Sequence, residues 1–485
     1  MSQSNDLKGQ AVSGLFWQMM QKTIVQLISF CVSVVLARML DPTDFGLIAL
    51  AGMFILLVGI FGDTGIGTAL VQKKDADELD YNTVFYANIC FALGVYALIF
   101  LAAPIAAKIF NNPQVTPIIR VMALSMPIGA LSGVHNAMVS KNMAFRKLFF
   151  STLSGSALSA VVGLSMVLMG CGVWALVGQN LVSTIANTIV LLYIVRWRPK
   201  CIFSMERFRQ LFSYGWKLTA SNLIGTFFSQ LKGYTIGLKY SPADLAYYNR
   251  GEGIPGIFYN NISSSINTVL FPVLSKLQDD KDSIRRALSR SMRMASFVLM
   301  PALLGLAAVS DNLVEVLYTS KWAAAVPFMQ VICLMNCFDL LGAANIQALK
   351  AVGRADTLLK LEVYKKPLML AMLGCCMFIS PLAIAIGQFV YSLVALAINA
   401  YPNRKYVNYP LKDQFLDISC SFVMALAMAI VVYMVGKLPI NVYVLLGLQV
   451  LVGAGLYVVL ARRFNKEIFD SMIELLKSKL NRKWR

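Results

Sequence analysis

Charge is what this sequence has least of. Only 14% of its 485 residues are Asp, Glu, Lys or Arg, while 58% are hydrophobic. A soluble chain of this length could not clothe its surface with so few polar groups. Acid is scarcer still, 24 carboxylates against 43 basic side chains, leaving a formal charge of +19. Histidine occurs once, at His135, too few for a proton relay or a metal cluster, so it reads as a polar residue at a helix interface. The nine cysteines are odd in number and show no zinc-type spacing, which excludes a disulfide framework and a metal site as organising features. Cys333 and Cys337 share a helix face as small packing residues. The alternation of barrel strands is missing too. No short apolar core with a small-residue cleavage site follows the polar N-terminus "MSQSNDLKGQ", so the first apolar stretch is read as an uncleaved helix.

What fills the chain instead is a succession of apolar runs, each long enough to cross a bilayer as a helix. The expected fold is an all-α polytopic membrane protein of about fourteen spans. They lie near 12–36, 45–71, 82–107, 117–139, 148–170, 173–195, 210–237, 244–273, 291–310, 323–348, 363–380, 382–400, 414–435 and 440–461. The connections are short, the longest about fifteen to twenty residues, and none could form a soluble domain.

Lysine and arginine set the orientation. Segments on the side of the N-terminus carry 33 basic residues and those on the other side 6. Both termini are therefore expected in the cytoplasm. The positive charge is a cytoplasmic surface facing anionic lipid headgroups, and gives no argument for nucleic acid. The basic residues left over are Lys22, Lys217, Lys232 and Arg250, which fall inside spans.

The chain also repeats itself. "ARMLDPTDFGLIALAG" at 37–52 matches "GLKYSPADLAYYNRGEG" at 237–253 in pattern, with Pro42 opposite Pro242 and Asp44 opposite Asp244. Pro117 falls opposite Pro327, and Gly178-Gln179 opposite Gly387-Gln388. The offset predicts two six-helix lobes, 1–195 and 210–409, joined by a basic linker at 196–209 and related by an axis along the membrane normal, as in parallel-repeat transporters. Two additional spans (410–462) and a basic amphipathic tail (463–485), expected to lie in the interface, complete the chain.

Where the first copy has apolar "LIALAGM", the second has "YYNRGEG". Charge is not required there by the fold, and an arginine at the bilayer centre costs roughly 2.5–3.5 kcal/mol. Arg250 and Glu252, two residues apart, point to different helix faces. Pro255, among Gly251, Gly253 and Gly256, is expected to kink or locally unwind the helix, which membrane depth tolerates only against protein or a water-filled cavity. Two narrow polar stripes agree: Gln18, Lys22, Gln26 and Ser29 in the first span, and Lys217, Ser221, Gly225, Ser229 and Lys232 in the seventh. The four cations are expected to face one central cavity. For Lys217 and for Asp63, near the cytoplasmic end of the second span, the alternative is a side chain snorkelling to the interface.

"LARMLDPTDFGLIAL" and "DTGIGTALVQKK" resemble the N-terminal signature of the polysaccharide transporter family, the Wzx-type flippases of the multidrug/oligosaccharidyl-lipid/polysaccharide exporter superfamily. "YNRGEGIPGIFYNNISSSINTVLFPVLSKLQDD" and "NIQALKAVGRAD" resemble exporters of the colanic acid and teichuronic acid type. The resemblance covers essentially the whole chain. It implies a transporter rather than an enzyme, working by alternating access on an undecaprenyl-diphosphate-linked oligosaccharide that it carries to the periplasmic leaflet for surface polysaccharide synthesis. The polysaccharide polymerase machinery becomes a candidate partner.

The residues fit such a cargo. Arginine offers a diphosphate a fork of donors and lysine a point charge. Amide and hydroxyl partners for sugar come from Ser221, Asn222, Gln230, Asn260, Asn261 and Asn267. No metal or cofactor is expected. A proton or sodium gradient is the candidate energy source, with Asp63 or Glu252 as the coupling carboxyl or, equally, as a structural ion pair with a buried cation. Two rivals remain. A cation-coupled multidrug exporter should show unpaired acids in its cavity; besides Asp63 and Glu252 only Asp339 stands out. A glycan ligase or polymerase should carry a large periplasmic catalytic loop, which these connections do not provide.

Overall fold

The computed structural model describes residues 2–59, 65–278 and 280–483. Among them the chain is helical from end to end. The helices are α1 (Ser2–Met39), α2 (Pro42–Gly59), α3 (Ile66–Gln72), α4 (Glu78–Ile109), α5 (Val115–Met122), α6 (Ser125–Lys141), α7 (Phe145–Leu168), α8 (Val173–Val195), α9 (Met205–Lys239) and α10 (Pro242–Lys276). They continue as α11 (Lys281–Tyr318), a 3-10 turn (Ser320–Ala325), α12 (Val326–Ala351), α13 (Ala355–Cys376), α14 (Pro381–Tyr406), α15 (Leu411–Val435), α16 (Val442–Phe464) and α17 (Lys466–Lys483). Most expected spans fall on a single helix; the fourth is divided between α5 and α6, and the second takes in α2 and α3, with residues 60–64 between them outside the described residues. Among the described residues, eleven helical stretches are long and apolar enough to cross a membrane by themselves. The chain is a multi-pass membrane protein. Helices α9, α10 and α13 reach the length but not that apolarity, because they carry the charged stretches.

The two matched segments each hold a junction between helices. α1 gives way to α2 between Met39 and Pro42, and α9 gives way to α10 between Lys239 and Pro242. In both places proline occupies the first helical position, where its missing N–H costs nothing and its fixed φ suits the turn. In the second copy Ser241 and Asp244 close the junction reciprocally: the Asp244 backbone N–H donates to Ser241 Oγ at 3.1 Å, and the Ser241 N–H donates to Asp244 Oδ2 at 3.1 Å.

The structure divides into two compact units, Met1–Ala246 and Tyr247–Arg485. In the first, α2, α4, α5 and α8 share a core around Ala51, Ile99, Ile118 and Val177. Lipid supplies little drive to pack apolar helices, so close approach at small residues matters more. α7 meets α8 that way: a Cβ on Gly155 would lie 2.8 Å from the Ser183 carbonyl oxygen. A second core, with Ile66, Leu70, Val84, Phe85 and Val134, takes in Leu211 from α9. Phe208 and Phe212 of α9 stack on Phe91 of α4. The seventh span thus packs onto α3 and α4 of the first unit.

In the second unit α11 is the central post. It packs on α12, α15 and α16, and polar side chains lock these contacts. Asn312 donates to Gln449 Oε1 at 2.9 Å, and Gln449 donates to the Val432 carbonyl at 2.9 Å. Tyr457 reaches the Phe297 carbonyl at 2.8 Å. On the far side of α15, buried Asn345, Asn403 and Gln414 form an amide cluster with bonds of 2.7 to 3.0 Å. The two additional helices are therefore welded to the second unit.

Two expectations change, and the linker gains a definite packing. The basic segments read as loops of fifteen to twenty residues are largely helical. Asp280 caps α11 by accepting from Asp282 and Ser283 N–H groups, and Ser204 caps α9, so both helices begin before their apolar stretches. The segment at 196–209 is docked: Trp197 packs against Tyr81, Phe85 and His135, its carbonyl accepts from His135 Nε2 at 3.1 Å, and the Lys200 N–H donates to Asn82 at 2.6 Å. Finally, α10 does not unwind at Pro255. It is helical throughout, since proline there forfeits one backbone bond, to Gly251, and glycines on either side absorb the ring's crowding.

Candidate functional site

α10 crosses with its charged turn intact. Arg250 lies eight residues inside the helix, about 12 Å along its axis. That is nearer one interface than the midplane. Its guanidinium carbon stands 4.9 Å from the centre of the Tyr318 ring and 5.0 Å from that of Trp322, and it hydrogen-bonds the Tyr318 hydroxyl. Trp322 is fully buried, with Tyr318 6.1 Å away and Tyr247 set edge-on at 5.9 Å. The box forms because α11 ends at Tyr318 and the 3-10 turn brings Trp322 back over the same face. The joint between them, Thr319, has φ 74° and ψ 171°, a region that β-branched residues avoid. Below it, Gly251 lets α10 approach α12: a Cβ there would sit 2.6 Å from Phe328 Cβ. Desolvated contacts of a cation with two rings are worth about 2 kcal/mol and help to hold the guanidinium in place.

Further into the unit lies a polar cluster. Ser392 of α14 hydrogen-bonds Asp339 of α12. Tyr259, bonded to Ser263 on α10, lies in the field of Asp339, and Tyr391 in the fields of Asp339 and Glu362. On α13, Glu362 pairs with Lys365 at 2.5 Å and with Lys366 at 3.5 Å, the Lys365 side chain being 7% exposed. Sequence reasoning had counted these two lysines with the cytoplasmic segments. The missed signal was the carboxylate three and four residues before them, the spacing of a pair within a helix.

The remaining residues of the expected site divide between the units. Lys22 and Gln26 lie exposed on α1, with Gln18 half-buried beside them; α1 packs on α7 through Trp17, which meets Phe149 and Phe150. On α9, Lys217, Gly225 and Ser229 are exposed, whereas Lys232 and Gln230 are half-buried. Glu252 is half-buried on α10, and Asn260 and Asn261 are exposed on it. Asp63 lies outside the described residues, as do the side chains of Ser221, Asn222 and Asn267. Arg250, Glu252, Asn260 and Asn261 belong to the second unit, Lys22, Lys217 and Lys232 to the first.

Comparison with known proteins gives this architecture its relatives. A family profile described as "Polysaccharide biosynthesis protein" matches residues 35–327. The lipopolysaccharide biosynthesis protein WzxC of Escherichia coli K12 is 25% identical over 366 residues, 74% of this chain and 73% of that protein. The succinoglycan biosynthesis transport protein ExoT of Rhizobium meliloti is 26% identical over 342 residues, 70% of this chain and 69% of its own length. Among solved structures, the lipid II flippase MurJ in an inward closed conformation superposes with a TM-score of 0.74 at 15% identity, covering 94% of this chain and all of that one.

Proposed function

Because the chain belongs to the polysaccharide biosynthesis protein family, we propose that it is a flippase for lipid-linked oligosaccharide in surface polysaccharide synthesis. It is a transporter and not an enzyme. Its cargo is a polyprenyl-diphosphate-linked glycan, carried from the cytoplasmic to the periplasmic leaflet of the inner membrane by alternating access. Both termini face the cytoplasm, a placement supported by the basic bias of 33 to 6. The cytoplasmic surface accordingly meets anionic lipid.

The observation that carries this reading is the family match to a chain holding Arg250 in an aromatic box within a membrane helix. A diphosphate is the part of the cargo that a half-buried guanidinium recognises best. Lys22, Lys217 and Lys232 supply further positive charge, and Gln18, Gln26, Ser221, Asn222, Asn260 and Asn261 the polar partners for sugar. A proton or sodium gradient supplies the energy, with Asp63 and Glu252 as the carboxyls to examine.

The test uses a host whose own flippase is deleted. Surface polysaccharide should fall at least about tenfold with Arg250→Ala and partly return with Arg250→Lys, at unchanged membrane abundance. Full export by a normally abundant Arg250→Ala variant would remove Arg250 from the cargo site. A purely structural arginine would lower abundance instead.

A further inference from the structure

A second charged site lies far from the aromatic box, where α11 and α15 begin. A cavity of about 490 Å³ opens between them, lined by Asp282, Arg285, Arg286, Ser289, Arg293, Tyr409, Asp413, Leu416 and Asp417. Part of its chemistry is a clasp between the two helices. Arg285 Nη2 bonds Asp413 at 2.9 Å; Ser289 Oγ, Arg293 Nε and Tyr409 Oη converge on Asp417 at 2.5 to 2.7 Å. Burial, with the Asp417 carboxylate beside it, pushes the Tyr409 phenol well above the usual tyrosine range, so the hydroxyl remains a donor.

The clasp does not use everything in the cavity. Among the described residues Arg286 meets Ser283 at 2.8 Å and Asp280 at 3.9 Å, both on its own side of the cleft, and its side chain is 73% exposed. Arg285 and Arg293 are 42% and 43% exposed, against 31% for Asp413 and 11% for Asp417. The acids lie behind and hold the guanidinium planes, while the cations face the opening. Each guanidinium has five N–H donors, so those turned outward still have capacity.

Position says what would fill it. α11 has 38 residues and spans roughly 57 Å, far more than the roughly 30 Å hydrocarbon core. Its first turns therefore stand in the headgroup layer, at the level of lipid phosphates. Leu416, 62% exposed, forms the apolar flank of the same cleft.

We propose that this cleft binds the phosphate of an anionic phospholipid, with Arg286 as the principal ligand, Arg285 and Arg293 as oriented donors and Leu416 against the acyl chain. The proposal rests on the membrane assignment and is independent of the cargo. Asp282 stands at the rim as an exposed carboxylate that opposes the anion.

The test is native mass spectrometry of the full chain in detergent, titrated with dioleoylphosphatidylglycerol. Arg286→Gln should weaken the first bound lipid about fivefold, the worth of one arginine at a lipid surface, and leave the unfolding midpoint unchanged. Arg290→Gln, the same loss of charge on an exposed neighbour outside the cleft, should not, and Asp282→Asn should tighten binding. Equal weakening by Arg286→Gln and Arg290→Gln would mean diffuse attraction and overturn the site, as would no weakening by Arg286→Gln. Displacement of the lipid by equimolar glycerol 1-phosphate would overturn the lipid assignment in favour of a soluble phosphate.

Discussion

Asp417 gathers three donors in the second unit. A hydroxyl, a phenol and a guanidinium all donate to it from two other segments of chain. Truncation leaves three donors facing a hole, so Asp417→Ala should cost about 3 kcal/mol. Tyr409→Phe, which deletes one donor and keeps the ring, should cost about 1 kcal/mol. Unfolding in detergent checks the order of the two losses; equal losses would show that the clasp contributes little. Thr319 gives the opposite sign. Relief of its left-handed backbone should outweigh the added freedom of the unfolded chain, so Thr319→Gly should stabilise by about 1 kcal/mol. A lower midpoint for that variant would mean that the threonine side chain contributes more than its backbone conformation costs.

At the scale of the helix, the strap between α8 and α9 offers a pH readout. Asp77 caps α4, accepting from the Asp80 N–H at 2.9 Å, and also meets Arg207 of α9 at 3.4 Å. The backbone N–H of Asp80, ahead of the positive charge of Arg207 and Lys73, holds the Asp77 carboxyl below its usual value. A depressed carboxyl contributes stability above its unfolded pKa and loses it as pH falls through the folded one. Hydrogen exchange of 198–206 should therefore be flat from pH 7 to about pH 5, once corrected for intrinsic rates, and faster only below about pH 4. Deprotection already at pH 6 would implicate another group, His135 first among them.

The same strap shows where sequence reasoning reached and where it stopped. Among the described residues hydropathy located the eleven helical stretches apolar enough to cross by themselves, because an apolar run of that length has one fate in lipid. The match of Pro42 with Pro242 located the repeat, because proline at a helix start is a local rule. Docking of Trp197 against Tyr81 and Phe85 is a contact between distant residues, and nothing in the composition of a basic linker announces it. Lys365 and Lys366 were legible only as charges; their placement in α13 depends on where that helix begins. Pro255 was legible as a helix breaker, yet a breaker set among glycines in a packed helix is tolerated.

For the whole molecule, an all-helical membrane fold and membership of a polysaccharide biosynthesis family converge on flipping of a lipid-linked glycan. The direct measurement is reconstitution of the purified chain in liposomes loaded with undecaprenyl-diphosphate-linked oligosaccharide on both leaflets. A membrane-impermeant glycosidase added outside reads how much glycan becomes accessible, in the presence and absence of an imposed ion gradient. The account predicts that cleavage passes the outer-leaflet fraction, about half, and approaches completion in protein-containing vesicles, while protein-free vesicles stop at that fraction. Cleavage halting at the outer-leaflet fraction with well-folded protein, under every gradient applied, would contradict it.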